Sequence, residues 1–224
     1  MKITTLCLIG CIFAGCSKEK ETTNTSEQDS ATKTEAVATV TTGEKLKPCC
    51  SDEAPAAVEV STESIYQVAS QWQDASGKKR DLKSIGGFVQ VVTMGYTTCK
   101  YACPRLLADM REIETKLPQD LRNKTHFTFI SIDPETDTPA RLAEYRKENN
   151  IISNRWTVLT GEAAFVQELA VVLGVQYRKT TPKDFAHSNI ITVLNPNGEI
   201  VHRQEGLGAD SAATIKAITT LLKN

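Results

Sequence analysis

Apolar residues are spaced unevenly along the chain, and the spacing divides it into elements. Phe88 to Thr93 is a largely apolar, β-branched run of the kind a buried strand requires. Pro104 then stands where a first helical residue is favoured. Leu106, Met110, Ile113 and Leu117 follow at the spacing of one helix face. His126 to Ile132 alternates like a second strand, which Asp133-Pro134 ends. Thr138-Pro139 supplies an N-cap and a first-turn proline for another helix. Trp156 to Leu159 predicts a third strand, and Phe165, Leu169, Val172 and Leu173 an amphipathic helix closed by Gly174. Ile190 to Leu194 and Glu199 to Arg203 flank Asn195-Pro196-Asn197-Gly198, a hairpin turn signal. Ile215, Ile218 and Leu222 mark a closing helix.

Strands alternating with helices, then a hairpin and a helix, form an α/β order. A thioredoxin-like fold, with a central mixed sheet flanked by helices, satisfies it. The pattern assigns residues 62–224 to one domain, roughly 160 residues, which is ample for a single core. Residues 17–61 differ in kind. They are rich in Thr, Ser, Glu, Lys and Ala and poor in large apolar residues. Such a segment buries too little surface to offset its ordering entropy, and it reads as a disordered polar tether.

The first sixteen residues read as an export signal. Lys2 gives a thin positive region, and Ile3 to Ala14 is an apolar stretch too short to span a bilayer. Phe13-Ala14-Gly15-Cys16 resembles a lipobox, with Phe13 where leucine is usual; Cys16 would then carry lipid and become the new N-terminus. This places the protein outside the cytoplasm, anchored to a bacterial membrane and facing the periplasm or the extracellular side. No later apolar stretch approaches the ~20 residues needed to cross a membrane as a helix. The net charge of −1 with no long basic run leaves nucleic acid without an electrostatic case.

Seven cysteines are encoded. Cys7 and Cys11 would leave with the signal and Cys16 would be lipidated, so Cys49, Cys50, Cys99 and Cys103 remain. In an oxidising compartment such residues are bridged, metal-bound or catalytic. Cys49 and Cys50 lie in the tether. A secondary copper site, an intermolecular disulfide and two incidental thiols are all open for them.

The strongest chemical signal is Gly95-Tyr96-Thr97-Thr98-Cys99-Lys100-Tyr101-Ala102-Cys103-Pro104. Two cysteines four apart, after a buried strand and entering a helix, can place both sulfurs on one side of a turn. A helix N-terminus lowers thiol pKa and favours the thiolate that binds metals or attacks disulfides. Two thiolates suit a soft ion such as Cu(I), and an imidazole can complete the set. By itself the pair fits a structural disulfide, a redox couple or half a zinc site equally well.

This segment resembles the G-Y-T-x-C-P-x-x-C-P motif of the Sco/SenC family of copper-binding assembly proteins, departing from it at Lys100. Ser131-Ile132-Asp133-Pro134-Glu135-Thr136-Asp137-Thr138-Pro139, Leu159-Thr160-Gly161, and His187 ahead of a strand ending in Asn195-Pro196-Asn197-Gly198 extend the likeness. It covers about Ile65 to Leu222. The resemblance implies that Cys99, Cys103 and His187 ligate copper, as Cu(I), Cu(II) or both. It implies a metallochaperone rather than an enzyme, serving the dinuclear copper centre of cytochrome c oxidase subunit II or another copper-dependent membrane oxidase. A thioredoxin-like reductant would be a further partner. The family commonly has aspartate directly before the histidine; here that position is Ala186, and Asp184 is the nearby candidate to orient the ring.

Other chemistry-bearing residues have plainer readings. Asp133 and Asp137 invite a carboxylate-pair reading, but Asp133 ends a strand and Asp137-Thr138-Pro139 caps a helix. In thioredoxin-like folds that strand end lies near the active loop, so an influence on the site stays open. His126 and His202 fall in strand patterns, Met94 reads as packing, and Tyr96 and Tyr101 shield the site, form a docking surface or fill the core. The rival function is a thiol–disulfide oxidoreductase with Cys99 and Cys103 as its redox pair, keeping client cysteines reduced. Peroxide reduction shares the fold class, but no peroxidatic motif is recognisable.

Overall fold

The computed structural model describes residues 60–223. The signal (1–16), the lipidation candidate Cys16, Cys49, Cys50 and almost all of the tether lie outside the described residues.

Chain order is β1 (Trp72–Asp74), β2 (Lys79–Arg80), β3 (Val89–Gly95), α1 (Ala102–Lys116), α2 (Gln119–Asn123), β4 (Thr125–Ser131), α3 (Pro139–Glu148) and β5 (Trp156–Gly161). Then come α4 (Ala163–Leu173), β6 (Tyr177–Thr181), β7 (Asp184–His187), β8 (Ile190–Leu194), β9 (Ile200–Glu205) and α5 (Ala212–Lys223). Seven strands make one sheet in the order β2-β1-β5-β4-β3-β8-β9. β3, β4 and β5 are parallel, while β1, β8 and β9 run antiparallel to their neighbours. The sheet is therefore mixed, as the element order predicts.

Every residue of β3 is buried, which its run of Val89, Val91, Val92 and Met94 requires of a central strand. α1 and α5 pack on each other and on β3, and α3 lies against β5 and β1. Helix ends follow the sequence signals. Thr138 caps α3 by accepting the Arg141 N–H, with Pro139 in the first turn, and Gly174 ends α4 in the left-handed region at φ 74°.

Three features depart from the pattern reading. α1 begins at Ala102, so Pro104 is its third residue and Cys103 already lies inside the helix. The short hairpin β1–β2 extends the sheet beyond β5. A second hairpin, β6–β7, forms a separate two-stranded sheet. Both hairpins are too short and too polar for periodicity to reveal: β6 reads Tyr-Arg-Lys-Thr-Thr, mostly exposed.

β1 is held by one large side chain. Trp72 is fully buried, and its indole N–H donates to Ser70 Oγ at 2.6 Å. Trp72→Ala should cost about 3–5 kcal/mol in urea denaturation. A loss below 1 kcal/mol would mean that this edge contributes little to the core.

Candidate metal centre

The site begins where β3 ends. Gly95 is its last residue, and Cys103 Sγ packs directly over it. A methyl group on Gly95 would lie 2.7 Å from that sulfur and 3.0 Å from the Phe129 ring. Any side chain here would displace the thiol, so the motif glycine is a steric requirement. Cys103 is fully buried, and its sulfur also accepts the Tyr96 N–H at 3.4 Å. Cys99 is only partly buried. Its sulfur accepts the Cys103 N–H at 3.3 Å, in the first turn of α1. Tyr101, at the N-cap position, makes no side-chain capping bond, so the Cys99 sulfur takes over that role.

His187 arrives from the other hairpin. It is the last residue of β7, paired with Tyr177 of β6. Tyr96 fastens this hairpin to the cysteine loop: its hydroxyl accepts the Phe185 N–H at 3.3 Å and lies 3.5 Å from the Phe185 carbonyl. The Tyr96 ring stands edge-on to His187, with centroids 5.8 Å apart. His187 Nε2 sits 3.8 Å from Cys103 Sγ. The donor atoms of Cys99, Cys103 and His187 all lie within 4.8 Å of one another, close enough to hold one metal ion.

The histidine is oriented for that task. Its Nδ1 is 3.0 Å from the Ser188 carbonyl, which can only accept, so Nδ1 carries the hydrogen. In the neutral ring Nε2 then presents its lone pair toward the sulfurs. Asp184 does not perform this role; its carboxylate accepts the Thr181 hydroxyl at 3.1 Å instead. It stands three residues back on an exposed strand position, and a backbone carbonyl leaves no side-chain signature to read.

Electrostatics divide the two thiols. The Cys103 thiol donates to Cys99, which with His187 and backbone N–H groups of Cys103 and Tyr101 holds the Cys99 pKa down to about 3 against the opposing effect of burial. That same donation, together with burial, pushes the Cys103 thiol above the ordinary range. Burial opposes charge on His187, but the Cys99 sulfur and the Ser188 carbonyl outweigh it and raise the ring's pKa. Cys99 is thus driven toward the thiolate and Cys103 toward the thiol, so binding a cation through both sulfurs would have to expel the Cys103 proton.

The remaining candidates fall elsewhere. His126 stacks on Phe88 at 3.9 Å, and burial beside Arg155 holds its pKa down to about 4. His202 meets the Thr214 hydroxyl at 3.1 Å, and Met94 is buried in the core. Tyr96 is buried at the site, whereas Tyr101 is 86% exposed. Asp137 does not cap α3. Its carboxylate turns inward and accepts from Thr97 and Ser131. A cap already supplied by Thr138 is the clue in the sequence that leaves Asp137 for other work.

Comparison with known proteins follows the same lines. The sequence profile of SCO1/SenC matches residues 61–223. The chain belongs to the SCO1/SenC family. A human relative, the mitochondrial SCO1 homolog, is 30% identical over 151 residues, covering 62% of this chain and 49% of its own length. The chain likewise spans 63% of a Stutzerimonas stutzeri relative. Among solved structures, Arabidopsis thaliana ScoI with copper bound superposes with a TM-score of 0.60 at 25% identity, over 67% of this chain and 96% of that one. The Sco fold is also met in BsSco, at TM-score 0.57 and 24% identity over 67% and 91% of the two chains. BsSco is described as having a disulfide switch and as a member of the Sco family of cytochrome c oxidase assembly proteins.

Two measurements test this geometry. Alkylation followed by peptide mass spectrometry should modify Cys99 at a rate nearly flat from pH 5 to 8, with Cys103 protected. An ordinary thiol of pKa near 8.5 would gain about tenfold per pH unit over that range, and such a slope at Cys99 would refute the thiolate assignment. Gly95→Ala should lower stability by about 1–3 kcal/mol through overpacking against Cys103 and Phe129; an unchanged urea midpoint would show that the helix end shifts freely.

Proposed function

We propose that this Sco protein is a copper metallochaperone whose cargo is held by Cys99, Cys103 and His187. The convergence of these three donors within 4.8 Å carries the reading. Two sulfurs and one imidazole form a soft, three-donor set of the kind Cu(I) favours. The partly buried Cys99 is the donor from which an incoming client thiolate can take over, while Cys103 and His187 retain the ion until exchange is complete. Arabidopsis ScoI holds copper on the same fold, which supports copper as the ion here.

The client in this proposal is the dinuclear copper centre of cytochrome c oxidase subunit II or of a related membrane oxidase. BsSco's description as an oxidase assembly protein supports that choice. Residues 1–16 act as a lipoprotein signal, Cys16 bears the lipid, residues 17–61 are a tether, and 62–224 form the copper-binding domain. Tethering the carrier to the client's membrane raises its effective concentration there. No helix among the described residues is long and apolar enough to cross a membrane.

The unequal thiols favour a second reading. A partly exposed thiolate at a helix start beside a buried, protonated partner is also how a dithiol reductant is built. Cys99 and Cys103 would then keep client cysteines reduced, recharged by a thioredoxin-like protein.

His187 separates the two. In an anaerobic Cu(I) titration the reduced protein should bind close to one equivalent. Affinity should fall on the order of ten- to a hundredfold in His187→Ala, and further in Cys99→Ser/Cys103→Ser. Binding indifferent to His187, with disulfide reduction intact, would decide for the reductant.

A further inference from the structure

The loop between β4 and α3, residues 132–138, touches both halves of the metal centre. On the cysteine side, Asp137 is fully buried. Its Oδ2 accepts the Thr97 N–H at 3.0 Å and the Ser131 hydroxyl at 2.6 Å, and its Oδ1 accepts the Thr97 hydroxyl at 2.5 Å. The Arg141 Nε–H donates to that Thr97 hydroxyl at 3.1 Å, so the hydroxyl is engaged from both sides. Thr97 lies two residues before Cys99, between the end of β3 and the first sulfur. On the histidine side, Glu135 meets Lys179 of β6 at 2.8 Å.

These two links differ greatly in weight. Glu135 and Lys179 are 79% and 42% exposed, and an ion pair between solvated side chains holds little. Asp137 is out of water, and each hydrogen bond it accepts satisfies a donor that would otherwise be buried without a partner.

We infer that Asp137 is the positioning residue of the metal centre, its buried carboxylate fixing the cysteine loop through Thr97. Tyr96 joins the hairpin to this loop, so a fixed Thr97 also fixes where His187 finds the sulfurs. The role needs hydrogen-bonding atoms at two points, an acceptor facing the Thr97 N–H and the Ser131 hydroxyl and a partner for the Thr97 hydroxyl, rather than a negative charge. Burial already holds the Asp137 carboxyl above the usual carboxylate range. An asparagine can accept the Thr97 and Ser131 donors through its oxygen and donate to the Thr97 hydroxyl. The inference rests on the copper-site reading, but the clamp itself can be measured without metal.

The test compares Asp137→Ala, Asp137→Asn, Thr97→Val and Glu135→Gln in the full chain. In the metal-free protein, the amides of Thr97 to Cys99 should exchange hydrogen faster in Asp137→Ala, while β3 stays protected, and return toward parent rates in Asp137→Asn. Cu(I) affinity, measured against a chromophoric chelator, should fall on the order of tenfold in Asp137→Ala. It should be largely restored in Asp137→Asn and unaltered in Glu135→Gln. Parent-like exchange in Asp137→Ala overturns the inference, as does an equal loss of affinity in the alanine and asparagine variants. If Asp137→Ala does not fold, Thr97→Val removes the hydroxyl arm alone; faster local exchange and weaker binding then support the clamp, and parent values overturn it. A parent protein that binds no copper would sink the proposed function, while the exchange comparison would still decide the role of Asp137.

Discussion

A cation that sits among three protein donors needs those donors assembled before it arrives, yet nothing about two sulfurs and an imidazole draws them together. What assembles them here is the parallel pairing of β3 with β4. Its register sets Gly95 opposite Ser131, and the chain beyond β4 continues the contact through the Ile132 N–H to the Gly95 carbonyl at 2.8 Å. Both carboxyl ends therefore stop side by side. The loop that follows one strand carries the cysteines, and the loop that follows the other carries Asp137. A slip of one residue would turn every side chain of β3 to the opposite face and part the two loops.

Burial then differentiates groups that begin alike. Cys99 and Cys103 are the same residue in the same helix start. One lies buried over a bare glycine at the end of β3 and is pushed toward the protonated form. The other accepts the Cys103 thiol, then the His187 ring and backbone N–H groups, and is held toward the thiolate. The same logic sorts the carboxylates of the β4–α3 loop. Glu135 stands in solvent, whereas Asp137 is enclosed and becomes part of the frame.

Most of the fold was legible because its long elements obey clear periods. β3, β4, α3, α4 and the β8–β9 hairpin lie within a residue or two of where spacing and caps put them. The two short hairpins were not, since strands of two to five residues with polar faces carry no period. Within the site, the cysteines could be read from their spacing and the strand before them, but His187 could be reached only through family likeness. Its partner Ser188 acts through a carbonyl that every residue possesses, and so no sequence pattern marks it. Asp137 was visible as a residue and misread as a cap, because the helix-start signal of Thr138-Pro139 explained the neighbourhood without it.

The hairpin β6–β7 stands apart from the main sheet, although it carries His187, one of the three proposed donors. In evolutionary terms this makes the site modular. Residues on its outer surface, such as Arg178 and Ala186, can be exchanged without disturbing the buried strands or the sulfur pair. Lengthening its tip at Pro182-Lys183 would likewise leave the β3–β4 register untouched. A lineage can therefore reshape the ground around the candidate metal site while inheriting the sulfur pair unaltered.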